Sequence, residues 1–187
     1  MLRLGSDASW PTWTHPQTQE KYTLSLRSAE DMDDDELEAC FDIVAGHADQ
    51  ARGEIRAFTS FMPTFEDGQP VVYCYEIHLL PEMERTGLGK LLMDHVTAAA
   101  DGIPTLEKTM LTCFVSNARA RRFYEKLGFD VDESSPRPRR LRDKVIEPEY
   151  VILCRRTSKG ADATDGGGGG EHQDKRTKHT TRSGTET

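Results

Sequence analysis

Residues 71–92, VVYCYEIHLLPEMERTGLGKLL, constrain this chain more than any other stretch. They begin as an alternating run rich in β-formers. They end as a helix, with Leu88, Leu91, Leu92, Val96 and Ala99 recurring at i, i+3 and i+4. Gly87 and Gly89 stand at the join. Beyond a break at Pro104 comes TMLTCFV, a run apolar on both faces, as a central parallel strand would be. Strand, glycine turn, helix and strand form a crossover whose right-handed connection makes the two strands parallel neighbours. A chain built around such a unit is an α/β protein with helices packed on a sheet.

The flanks supply the other elements. Residues 22–26 alternate like a short strand, and Asp33, Asp34 and Asp35 offer N-caps to ELEACFDIVA, with Leu37, Cys40, Phe41 and Val44 as its expected inner face. EIRAFTSFM and VVYCYEIHL read as strands joined through Asp67-Gly68, a turn signal. NARARRFYEKLGF reads as a helix with Ala120, Phe123 and Leu127 inward and Gly128 as its left-handed cap. FDVD and YVILCR close the sheet on either side of a basic loop at 135–144.

Hydrophobic residues make up 36% of the 187, fewer than a fully globular chain carries. From Ser158 onward no large apolar residue occurs, which predicts a disordered tail over 158–187. Its run Gly166–Gly170 reads as a linker, since no strand precedes it and no Gly-Lys-Ser/Thr follows. Residues 1–20 are expected to be a loose N-terminal segment, with Trp10 and Trp13 available to dock it, which leaves 21–157 as the domain. The tail carries five acids and five bases, so the net charge of −8 belongs to the body. An acidic body argues against direct nucleic-acid binding and suits a basic partner, although solubility alone also accounts for it. Four scattered cysteines, without CxxC or His–Cys spacing, predict a reducing compartment and no metal site. No apolar run has membrane-spanning length and no signal peptide is visible, so a soluble intracellular protein is expected.

The chemistry starts with ERTGLGK. Glycines at a helix mouth let backbone N–H groups close on an anion, and they also serve any tight strand-to-helix turn. Together with N-x-x-A-x-x-F-Y-E-K-L-G-F downstream, the string resembles the GCN5-related N-acetyltransferase superfamily. VVYCYEIHL, MLTCFV, LGFDVDESSP and YVILCRRT further resemble its NatD family of histone-specific N-terminal acetyltransferases, over about residues 56–157.

That resemblance implies a mixed twisted sheet flanked by helices and acetyl-CoA as donor, without a metal. It implies a monomer in cytoplasm and nucleus whose substrate is the Ser-Gly-Arg-Gly terminus of histones four and two-A. Arg85, Thr86, Gly87, Leu88, Gly89, Lys90 and Leu91 would hold the pyrophosphate, with His78, Leu79, Leu80, Thr112 and Asn117 along the rest of the cofactor. A strand bulge after Glu76 would aim a backbone N–H near His78 at the thioester carbonyl. Acetyl transfer needs a neutral amine, yet an α-ammonium of pKa about 7.7–8.0 is mostly protonated at pH 7. Glu76 would take that proton, or else it is a strand carboxylate paired with a Lys or Arg. Tyr124 would protonate the leaving thiolate, or else it is a core phenol. Tyr73, Tyr75, Glu66 and Tyr150 would line the peptide channel, with half-buried strand aromatics as the plain alternative for the first two.

Three departures stand out. Glu84 lies where the superfamily's loop opens with Gln or Arg, and Thr64 replaces one of two acids that hold the substrate arginine. Between the first helix and RAFTSF, NatD enzymes carry an aromatic-bearing helix and a strand, for which IVAGHADQARGEI is too short. The edge of residues 56–61 is therefore expected to lack its usual neighbour, with residues 22–26 the nearest replacement. Cofactor binding is expected to survive and peptide turnover to be low. A small-amine acetyltransferase and a non-catalytic acetyl-CoA or histone-tail binder are the alternatives.

Overall fold

Asp67 and Gly68, at φ of 48° and 78°, turn the chain between its two longest strands. Positive φ at both positions suits the tight turn whose twist matches the flanking strands. The computed structural model describes residues 2–4, 11–46, 55–142 and 144–158. In chain order the elements are β1 (Leu2–Leu4), β2 (Thr12–Thr14), β3 (Lys21–Leu24), α1 (Asp34–Val44), β4 (Ile55–Glu66), β5 (Gln69–Leu79), α2 (Leu88–Gly102) and β6 (Lys108–Phe114). They continue with α3 (Ala118–Lys126), β7 (Asp130–Val131), β8 (Arg139–Leu141), β9 (Lys144–Ile146) and β10 (Tyr150–Arg156). The main sheet runs β2-β3-β1-β4-β5-β6-β10-β7, while β8, in the basic loop, pairs separately with β9. Among the described residues β5 and β6 are the parallel pair, aligned from Val71↔Lys108 to Cys74↔Leu111. The crossover unit thus forms the middle of the sheet.

The N-terminal segment departs from expectation. Leu2–Leu4 and Thr12–Thr14 are strands, and Trp13 packs on the core with its ring 5.9 Å from that of Tyr22. Buried His15 accepts the N–H groups of Gln17 and Thr18 at Nδ1 (3.2 and 3.1 Å), and its Nε2–H donates to the Glu82 carbonyl at 3.2 Å. One imidazole therefore fastens residues 15–18 to the short helical turn Pro81–Met83. Trp10 lies outside the described residues, as do 159–187, where the tail and its glycine run were placed.

The strand beside β4 also differs from expectation. β1 pairs there, at Leu2↔Ala57 and Arg3↔Ile55, and β3 lies one place further out against β1. Among the described residues β1 meets only the start of the long β4. Further along, Pro63 has its nitrogen on the side away from β5, by alternation from the Leu80 N–H to Arg56 O bond, so it costs no ladder bond with β5.

α1 begins as its sequence predicts. Asp33 accepts the Glu36 N–H at 2.8 Å and Glu36 reaches back to the Asp33 N–H at 3.3 Å, a reciprocal capping box. Its inner face is a correction. Glu36, Ala39 and Ile43 are buried, whereas Leu37, Phe41 (71% exposed) and Val44 are exposed and Cys40 is half-buried. The helix carries two apolar stripes, and the sheet takes the one with small Ala39, which permits close approach.

α2 buries Leu88, Leu92, Met93, Val96 and Ala100, with Leu91 and Ala99 half-buried. α3 ends at Gly128 (φ 83°), with Ala120, Phe123 and Leu127 partly buried and Tyr124 fully so. At the far end of the sheet, Lys108 and Asp132 form a buried ion pair at 2.6 Å, and Ser134 gives Asp132 two more hydrogen bonds. Burial alone would raise the Asp132 carboxyl, but the Lys108 and Ser134 donors outweigh it and hold it well below the usual carboxylate range.

Candidate active site

The ladder between β4 and β5 runs without a break from Glu66↔Gln69 to Phe61↔Cys74, then resumes at Ser60↔Glu76. Tyr75 is the extra residue, a bulge one place before Glu76, where the expectation put it after. Its consequence follows from strand geometry. Phe58, Ser60 and Met62 alternate onto one face of β4, and their partners are His78, Glu76 and Tyr73. The bulge therefore brings Tyr73 and Glu76 to the same face, although a regular strand would put residues three apart on opposite faces. The Tyr75 ring joins them, 5.1 Å from that of Tyr73. The reverse face carries Cys74 and Ile77, and Thr59 there fixes the bulge by donating Oγ1–H to the Glu76 carbonyl at 3.0 Å.

The bulge coincides with a parting of strands. β5 leaves β6 after Cys74↔Leu111, so the β5 edge beyond it borders a cleft. The Leu80 N–H donates to Arg56 O at 3.0 Å, hence the His78 amide also points to β4 and those of Ile77 and Leu79 face the cleft. The amides open to a ligand in the cleft are thus those of the neighbours of His78, not of His78 itself. The His78 side chain has another partner, since its Nε2–H donates to Glu76 Oε2 at 2.7 Å while the ring stacks on Phe58 at 5.5 Å. The Glu76 side chain is 51% exposed, so its second oxygen remains within reach of a ligand.

Across the cleft, Tyr73 Oη and Thr112 Oγ1 share a hydrogen bond of 2.5 Å. Burial raises the Tyr73 phenol, and the nearby charge of Glu66 and the phenols of Tyr75 and Tyr150 add to this against the Thr112 hydrogen bond. Those residues surround Tyr73 on one exposed surface, with Tyr150 opening β10 opposite Phe114. Tyr124 is apart from them, in the core cluster with Cys74 and Cys113. Its phenol is pushed far up, first by burial and then by those thiols and Glu76.

The glycine turn is built as an N-terminal anion cradle requires. Arg85 and Gly87 both take positive φ, 60° and 89°, and Thr86 Oγ1–H donates to the Met83 carbonyl at 2.6 Å. The N–H groups of Gly89 and Lys90, in the first turn of α2, have no carbonyl within the helix to bond. A Cβ at Gly89 would meet Phe123 at 3.5 Å and Leu79 at 3.9 Å, so α3 and β5 close on the loop. The side chains of Leu80 and Leu88 are buried, which leaves only their backbone for a ligand, and Leu91 packs against the core. The Lys90 ammonium pairs with Asp94 at 2.5 Å. Asn117 caps α3, accepting the Ala120 N–H at 3.0 Å. Glu84 is bound to Arg119, whose Nη2–H donates to Oε2 at 2.6 Å. Arg119 and Thr59 escaped the sequence reading. Opposite charges at the mouths of two successive helices were the only hint of the first, and the second needs the register of β4.

A family model described as Acetyltransferase (GNAT) family matches residues 6–129. The chain belongs to this family. Its mixed sheet, flanked by helices around one parallel pair, is the GNAT-like fold the resemblance implied. N-alpha-acetyltransferase 40 of Saccharomyces cerevisiae is 38% identical over 132 aligned residues, covering 54% of this chain and 46% of the relative. The chain thus spans about half the length of that relative. The ribosomal-protein-S18-alanine N-acetyltransferase of Escherichia coli is 19% identical with a TM-score of 0.49, over 68% of this chain and 91% of that one. Arabidopsis thaliana NAA60 in complex with a bisubstrate analogue is 14% identical with a TM-score of 0.44, over 56% and 66%.

The site fits acetyl-CoA, the donor that the family resemblance implies. The glycine turn offers donors for a pyrophosphate, and the cleft beside β5 offers unpaired strand amides for an extended pantetheine arm. Among the described residues no cluster of His, Cys, Asp and Glu is placed to hold a metal.

Proposed function

We propose that this GNAT acetylates the α-amine of a peptide N-terminus, in the manner of NatD enzymes, with Ser-Gly-Arg-Gly histone termini as substrate. The bulge at Tyr75 carries the reading, because it puts Tyr73, Tyr75, Glu76 and His78 on one face where β5 parts from β6. The similarity to a yeast N-alpha-acetyltransferase points the same way. Bound acetyl-CoA supplies the acetyl group as a thioester. Within the loop Arg85 to Leu91, the free first-turn amides of Gly89 and Lys90 hold its phosphate end, with Asn117 beside them, and Thr112 borders its other end.

Glu76 takes the ammonium proton through the oxygen that His78 leaves available, and His78 fixes the rotamer of the carboxylate. Amides of Ile77 or Leu79 donate to the thioester carbonyl, the place where negative charge develops. Tyr124 stays protonated because burial raises it, and so would serve as a hydrogen-bond donor to the departing sulfur. Tyr73, Tyr75 and Tyr150 form the walls for an extended peptide. Glu66, at the hairpin end, faces the substrate arginine with one carboxylate where NatD enzymes have two. An acidic body suits a basic histone tail, and such a substrate places the protein in cytoplasm and nucleus.

The outer stripe Leu37, Phe41 and Val44 supports a second reading, a non-catalytic acetyl-CoA binder. No described element covers those side chains, and the aromatic cap of NatD enzymes has no counterpart among the described residues. Acetylation assayed on a Ser-Gly-Arg-Gly peptide and on a polyamine panel, beside calorimetry with acetyl-CoA, separates the readings. Transfer to the peptide alone supports the first. Binding without transfer supports the second, and transfer to polyamines alone overturns both.

A further inference from the structure

Arg119 and Glu84 join the two segments that the proposed function assigns to the cofactor. Glu84 directly precedes the left-handed Arg85, three residues before the Gly87 that opens α2. Arg119 is the second residue of α3, two past its cap Asn117. Their 2.6 Å contact is the ion pair described between these segments. Both side chains are substantially exposed, at 60% for Arg119 and 41% for Glu84, and an exposed pair of this kind adds little to stability. Its placement matters more. The mouth of α2 is the positive end of a helix dipole, where a carboxylate is itself a welcome ligand. An unpaired Glu84 would compete with a pyrophosphate for the first-turn N–H groups and repel it as well.

We propose that Arg119 is a positioning residue for acetyl-CoA, acting through Glu84. It holds the carboxylate off the α2 mouth and cancels its charge, so that the departure at Glu84 leaves the anion site usable. The inference rests on the proposed use of this loop for the cofactor, and it adds a residue that the loop motif does not contain.

Calorimetry of acetyl-CoA binding to the full chain tests it without any peptide. Arg119→Ala should raise Kd on the order of three- to tenfold at low ionic strength, with the loss shrinking as salt screens the exposed charge. Glu84→Gln should bind as tightly as wild type or tighter, and Arg119→Ala/Glu84→Gln should return to within about twofold of it, since the uncompensated charge is gone. Arg119→Lys should keep most of the affinity. Thermal midpoints without cofactor should move little across the series. Equal affinity in Arg119→Ala overturns the coupling alone, and so does a double variant as weak as Arg119→Ala. A wild-type chain that does not bind acetyl-CoA overturns this inference and the proposed function together.

Discussion

At the scale of single residues, the proposed proton removal rests on Glu76 and its hydrogen bond to His78. Glu76→Gln preserves shape and removes the base, so kcat at neutral pH should fall about 10²–10⁴-fold, the usual contribution of general-base catalysis. Part of the rate should return at high pH, where the α-amine deprotonates unaided. A pH–rate profile identical to wild type would return Glu76 to the role of a strand carboxylate. The residue was legible because a carboxylate inside an apolar run stands out. The His78 contact was not, because it depends on where the bulge falls. The carboxylate at position 84 was equally visible, but a sequence cannot show that Arg119, 35 positions later, lies beside it.

At the scale of elements, the glycine turn separates a binding role from a folding role. Gly87 has φ of 89° with nothing within 4 Å of an added Cβ, so Gly87→Val costs backbone strain, roughly 1–3 kcal/mol of stability, as well as cofactor affinity. Gly89 has ordinary helical space, and Gly89→Ala should keep or slightly raise the thermal midpoint while weakening acetyl-CoA binding, because its Cβ fills the space where Phe123 and Leu79 close on the loop. If Gly89→Ala binds acetyl-CoA like wild type, the loop is only a turn. The crossover unit was readable because its two periodicities, two and 3.6, meet at glycines. The burial of α1 was misread because its apolar residues form two stripes, and periodicity does not say which one the sheet takes. The strand Leu2–Leu4 was missed because three residues carry no periodic signal, and its place is decided by the open edge of β4.

For the whole molecule, two regions meet in one sheet: a cleft that leaves β5 partly unpaired, and an opposite end locked by Lys108 and Asp132. Asp132 has its carboxyl held down in the folded state. Its contribution is therefore complete above the unfolded value of about 3.9 and drains only as pH falls through the lower folded value. Asp132→Asn leaves Lys108 buried beside a neutral partner, which should cost about 3–5 kcal/mol near neutrality. The difference in thermal midpoint between wild type and variant should stay level above about pH 5 and narrow below the ordinary carboxylate range. A difference that widens on acidification would contradict the pair's assigned protonation. The central claim concerns the opposite side of the sheet, and product analysis tests it most directly. A Ser-Gly-Arg-Gly peptide with a lysine further along, supplied with a free or a blocked N-terminus, is incubated with acetyl-CoA and the acetylated position is located by fragmentation mass spectrometry. The account predicts acetyl on the serine α-amine of the free peptide and none on the blocked one. Acetyl on the lysine of either peptide, with the α-amine untouched, would contradict it.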